Sequence, residues 1–146
     1  MIELVLPAPP LVLRGNRIWG GRTHWSKRTD AVKAYKEVVY YTVRSQLGAS
    51  LEGWTHAVQQ TTWVHPNKRD IMDGDNSLTS LKVTFDGLVA SGVLADDNHL
   101  IHLPCTNEVV KGQPATVHVK LIPGELDIAK LWTAIERGEF AWASKS

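Results

Sequence analysis

Residues 56–92 read HAVQQTTWVHPNKRDIMDGDNSLTSLKVTFDGLVASG, and three patterns succeed one another along them. From His56 to His65, Val58, Thr61, Thr62, Trp63 and Val64 supply the β-branched and aromatic content of a strand. Pro66 to Asn76 is polar and reads as a loop, with Asp75 or Asn76 placed to cap the next helix. Leu78, Leu81, Phe85, Leu88 and Val89 then recur at i, i+3, i+7, i+10 and i+11, one apolar stripe on a helix that Ser91-Gly92 closes.

Upstream, Ile2 to Leu6 alternates as a first strand and stops at Pro7-Ala8-Pro9-Pro10. Gly15, Gly20 and Gly21 mark an irregular basic loop. Thr29 before Asp30 predicts a helix start, Val32, Tyr35, Val39 and Val43 carry its apolar face, and Gly48 ends it. Downstream, Leu100–Leu103 and Ala115–Ile122 read as strands. Beyond Pro123-Gly124, Leu126–Arg137 reads as a terminal helix with Leu131, Trp132 and Ile135 turned inward. The order β–α–β–α–β–β–α predicts an α+β fold: one domain over residues 1–146, a mixed sheet with helices packed on it.

The 146 residues suit one domain with a core of its own, and 43% hydrophobic with 21% charged residues is ordinary globular usage. The lone Cys105 excludes an internal disulfide and points to a reducing cytoplasm. No apolar run approaches the roughly 20 residues of a membrane span, and the acidic Met1-Ile2-Glu3 start is unlike a signal peptide. The net charge of +1 conceals a division. Asp70 to Asp97 holds six Asp against Lys82, whereas Arg14 to Arg44 holds eight basic residues against Asp30 and Glu37. An acidic centre beside a basic arm suits an enzyme acting on a polyanion, because the arm attracts phosphate and the carboxylates can hold a cation. Chance clustering of solvated charges gives the same counts.

Asp73-Gly74-Asp75-Asn76, read as extended chain, turns two carboxylates the same way, and Asp97 returns after the helix to close the site. Three carboxylates with open positions suit Mg²⁺, with Mn²⁺ able to take its place. Lys82, off the apolar stripe, is placed to meet a phosphate. Asp86, at i+4, faces Lys82. Asn76, Asp70 and Asp96 are read as support for the ligands or as solvated side chains. Lys68 and Arg69 beside the acidic loop, and Arg14, Arg17, Arg22, His24, Lys27 and Arg28 in the basic arm, are candidate DNA-phosphate contacts. Trp19 and Trp25 in that arm stack on bases or pack on the domain itself. An EF-hand counted from Asp73 fails, since Leu78 and Thr84 fall where Gly and Glu are required. His99, His102 and Cys105 have a zinc-like spacing without a fourth ligand.

Several of these segments together resemble the RusA family of Holliday junction resolvases. Leu6-Pro7-Ala8-Pro9-Pro10, Gly21-Arg22-Thr23-His24-Trp25-Ser26 and Ala34-Tyr35 are similar to its N-terminal segments. His65, the basic loop and Asp73-x-Asp75-Asn76 resemble its acidic motif. Lys82-Val83-Thr84-Phe85-Asp86-Gly87-Leu88, Gly92-Val93-x-x-Asp96-Asp97 and Lys111-Gly112 resemble later ones. The likeness covers about residues 2–122 and leaves 123–146 as a C-terminal helical extension. It implies a RusA-like homodimer that binds four-way DNA junctions and cuts them with Mg²⁺, with Asp73, Asp75 and Asp97 as metal ligands and Lys82 as a catalytic lysine. Two departures stand out. Asn76 to Lys82 is longer by about one helical turn, and Asn107 occupies a place where the family often has Lys. A nuclease for other branched DNA, a catalytically silent DNA-binding protein of the same fold, and an Asp-rich turn without metal remain open beside this reading.

Overall fold

The computed structural model describes residues 1–14, 25–49 and 51–139, with the side chain of Trp25 outside the description. Five strands form one mixed sheet: β1 (Ile2–Pro7), β2 (Ala57–His65), β3 (Leu100–His102), β4 (Thr106–Val109) and β5 (Thr116–Pro123). Three helices accompany it: α1 (Trp25–Leu47), α2 (Gly74–Ser91) and α3 (Ile128–Glu136). The α+β expectation holds.

β2 is the spine of the sheet. Its long edge pairs antiparallel with β5, which pairs antiparallel with β1. Its other edge pairs parallel with β3 through Ala57–Gln59 and with β4 through Thr62–His65. The parallel direction follows from α2, which carries the chain back between β2 and β3. Pro104, which has no N–H to give a ladder, lies between β3 and β4 on that shared edge.

Alternation decides which face is covered. Leu4, Leu6, Ala57, Trp63, Val117, Val119 and Leu121 point inward and are buried, while Glu3, Val5, His118, Lys120 and Ile122 on β1 and β5 are exposed. Tyr35, Val39 and Val43 of α1 and Leu81, Phe85 and Leu88 of α2 complete the core. The two helices approach closely at Gly87, where an added Cβ would stand 2.7 Å from Val39 Cγ1. Tyr35 ties three elements: its hydroxyl donates to the Pro7 carbonyl at 2.8 Å and lies 3.0 Å from Thr84 Oγ1. Burial raises its pKa to about 12, against opposing pulls from the Thr84 bond and from Arg14.

Several local expectations need correction. α1 begins at Trp25, so Thr29 lies inside it; Ser26-Lys27-Arg28 simply extend the helix upstream. α2 begins at Gly74, and its cap is Asp73 rather than Asp75 or Asn76. β4 has no counterpart in the sequence reading, because all four of its residues are exposed and show no alternation. α3 is present but has no fully buried residue: Leu131 and Ile135 are half-buried, and Trp132 is 60% exposed instead of inward. Leu78, expected in the apolar stripe, is also exposed. Among the described residues, no helix is long and apolar enough to cross a membrane.

Candidate functional site

The N-terminus of α2 is built by Asp73. Its backbone is extended at φ −64°, ψ 167°, and its Oδ1 accepts the Asn76 backbone N–H at 2.9 Å. Its Oδ2 accepts Asn76 Nδ2–H at 3.0 Å. Asn76 therefore supports this carboxylate directly. Asp75, by contrast, lies in the first turn of the helix. The extended Asp73–Asp75 pair expected from the sequence is thus replaced by a cap and a helical residue, which do not share a side by strand alternation. Helical spacing puts Asp75, Thr79 and Lys82 on one face instead.

That face meets the return of the chain. Gly92 takes a left-handed φ of 89° and closes α2, and Val93 and Leu94 are buried as anchors. Trp54 clamps the return by donating to Val93 O at 3.0 Å and accepting from Ala95 N–H at 2.9 Å. Asp96 Oδ1 accepts the Asn98 N–H at 2.8 Å, so Asp96 shapes the turn. Asp97, Lys82, Thr79, Leu78, Phe85 and His102 line a cleft of about 350 Å³. Two predicted site residues, Lys82 and Asp97, thus share one cleft, and Asp75 stands one turn from Thr79.

His102 is the cleft residue that sequence reasoning missed as a partner of the acids. Its Nδ1 lies 2.9 Å from Gln59 Nε2, and Gln59 Oε1 accepts the Thr61 hydroxyl at 2.7 Å. Its ring packs against Phe85, with centroids 4.8 Å apart. Burial lowers its pKa, and the nearby charge of Asp97 opposes that shift in part. The only sequence signal was the spacing His99-x-x-His102-x-x-Cys105, and those side chains diverge. His99 stacks on His56 with centroids 4.4 Å apart, and Cys105 Sγ turns to its own neighbour's carbonyl, Thr106 O, at 3.4 Å. Burial also raises the Cys105 thiol's pKa.

The remaining predicted residues are spread more widely. Asp86 lies at i+4 from Lys82, and among the described residues the two form no ion pair. Asp70 sits in a short 3-10 turn, Lys68–Asp70, where it accepts from Asn67 Nδ2 at 3.4 Å. Lys68 and Arg69 in that turn are exposed, as is Lys27, while Arg28 is half-buried. Arg14 braces the fold: its Nε donates to Pro9 O at 2.6 Å and its guanidinium lies 5.2 Å over the Trp63 ring. Arg17, Arg22, His24 and Trp19 lie outside the described residues. Asn107, where the resemblance leads one to look for Lys, accepts from the buried His65 at 2.8 Å and joins β4 to β2.

Among the described residues, no three His, Cys, Asp or Glu side chains form a metal-binding group. The donor chemistry nonetheless fits a hard, hydrated ion, because Mg²⁺ keeps several waters and takes one or two carboxylates together with substrate phosphates. Asp97 and Asp75 are donors of that kind, and Asp73 is already engaged by Asn76. No protein-family model matches this chain, and no curated protein matches it.

Proposed function

We propose that this protein is a metal-dependent endonuclease that hydrolyses phosphodiesters in branched DNA, four-way junctions above all, in the manner the RusA resemblance implies. The observation that carries the reading is the common cleft of Lys82 and Asp97, with Asp75 one helical turn before Thr79 at its edge. Asp75 and Asp97 would hold Mg²⁺ or Mn²⁺, with Asp73 behind them. Such an ion, when bound, polarises a phosphoryl oxygen and lowers the pKa of its water. The chain supplies the rest. Lys82 offers an ammonium to the scissile phosphate, and the N-terminus of α2 adds the positive end of a helix dipole. Leu78 and Phe85 give the cleft an apolar wall, which strengthens charge interactions beside it. Lys68, Arg69, Lys27 and Arg28 would track the DNA backbone, and a homodimer would place two such clefts on one junction in the cytoplasm.

The test is cleavage of a synthetic four-way junction, with and without Mg²⁺, by the native protein and by Asp75→Asn. Paired nicks that require metal and disappear in the variant are expected. Undiminished cleavage by Asp75→Asn would overturn the assignment. A second reading, a DNA-binding protein without catalysis, draws on the engagement of Asp73 by Asn76. Tight junction binding without cleavage in either metal would favour it. Comparable cutting of forks and junctions would widen the substrate to branched DNA in general.

A further inference from the structure

One wall of the cleft is wired in a way that neither the carboxylates nor Lys82 explain. The parallel register sets Gln59 of β2 opposite His102 of β3, although 43 residues separate them. Gln59 and Thr61 are buried at 1% and 0% exposure. That burial argues for one direction of the chain of bonds. Thr61 Oγ1–H donates to Gln59 Oε1, which leaves the amide N–H of Gln59 facing His102 Nδ1. With the amide turned over, its N–H₂ would donate to Thr61 Oγ1, and the threonine proton would lose the acceptor it has in Gln59 Oε1. His102 Nδ1 therefore accepts, and the neutral ring carries its proton on Nε2. Phe85 packs against the ring and holds its plane. Among the described residues nothing else bonds the imidazole, so Nε2–H is the polar group it offers to the cleft.

This wiring is the reverse of a metal-binding histidine. A metal-binding His donates its second N–H to a carboxylate or carbonyl and turns a lone pair to the ion. Here the second nitrogen accepts, and the proton sits on the nitrogen turned away from Gln59 in a ring that lines the cleft. Although Asp97 is its neighbour, the ring is set to meet an anion.

We propose that His102 is a phosphate-binding residue of this site, its Nε2–H donating to a phosphoryl oxygen of a DNA phosphodiester seated between it and Lys82, with Gln59 as its positioning residue. The inference rests on the nuclease reading and adds a neutral donor to it. The donor stabilises charge developing on the phosphoryl oxygen and transfers no proton. A fixed donor of this kind requires no reorganisation during the reaction, which is the basis of its effect.

Two measurements test it. In metal-free, ¹⁵N-labelled protein, long-range ¹H–¹⁵N spectra should show His102 protonated at Nε2, and added dimethyl phosphate should shift that nitrogen saturably. In junction cleavage, His102→Phe keeps the ring packing and loses the donor, and should lower the rate about 100-fold. His102→Gln returns an N–H near the Nε2 position and should restore much of the loss. Gln59→Leu should mix the tautomers and lower the rate less than His102→Phe. Full activity of His102→Phe in a protein that cuts junctions would overturn this proposal alone. If the native protein does not cut, the nuclease reading falls and the titration decides: a His102 shift sustains the phosphate site, and its absence overturns it. A proton found on Nδ1 overturns the proposal in either case.

Discussion

α2 and α3 begin alike and end differently. Each is opened by an aspartate whose side chain accepts from the backbone N–H three residues on, Asp73 from Asn76 and Asp127 from Lys130. Each has an apolar stripe, and that of α3 is the more sharply segregated. Yet α2 buries nine residues and α3 none. The side-chain bonds of α3 are local: Trp132 Nε1–H to Glu136 Oε1 at 2.9 Å, Thr133 Oγ1–H to Ala129 O at 3.0 Å, and Lys130 near Asp127 at 4.0 Å. The difference lies in the strands that flank each helix. α2 is held between two strands that pair in parallel, so the chain must lay it back on the sheet. α3 comes after the last strand, through Pro123-Gly124, and no later strand draws it back among the described residues. Periodicity selects which face of a helix is apolar; a partner for that face comes only from the path of the chain.

The largest test of this contrast is a pair of truncations. Leu88→Ala should cost about 2–5 kcal/mol, because it opens a cavity at a fully buried site, and Leu131→Ala should stay within about 0.5 kcal/mol. Urea unfolding of both variants measures it, and similar losses would mean that α3 belongs to the core. The caps sharpen the comparison further. Asp73→Ala should lower global stability by about 1 kcal/mol. Asp127→Ala should leave the unfolding midpoint nearly in place and mainly reduce helical circular dichroism, since fraying α3 uncovers no fully buried side chain. A common shift in midpoint would again unite the two helices.

The smallest effect is one of pH. The folded state holds the pKa of His102 below its ordinary value, mainly through burial. Just below the ordinary histidine pKa of about 6.5 the unfolded chain therefore binds more protons than the folded one. The contribution is present above that value and fades as pH falls through it toward the depressed folded pKa. It is modest because the ring is partly solvated. Stability measured from pH 7.5 to 5 should lose a small part of its slope in His102→Gln, while Leu131→Ala leaves the slope unchanged. An unaltered slope in His102→Gln would assign the pH dependence elsewhere.

Much of this molecule was legible in one dimension because the forces concerned act within a turn or two of chain. Alternation marked β1, β-branched and aromatic content marked β2, and 3.6-residue spacing with Gly48 and Gly92 marked the ends of α1 and α2. The residue types of the acidic loop and the placement of Lys82 and Asp97 were visible as chemistry. The polar edge strand β4 was not, because its pairing with β2 leaves no hydrophobic signature. Nor could an Asp-Gly-Asp stretch declare whether it was extended or a cap. Both are local options, and the packing of α2 against the sheet chose the second.

By itself the sequence determined the elements, the apolar faces and the segregation of acid from base, since side-chain period, capping and charge are properties of neighbouring residues. Only the tertiary structure decided that Asp73 serves Asn76, that Lys82 and Asp97 share a cleft, that Gln59 and Thr61 orient His102, and that α3 is left with no fully buried residue. Each of these depends on the register of distant strands, and the free energy that sets register is spread over the whole core.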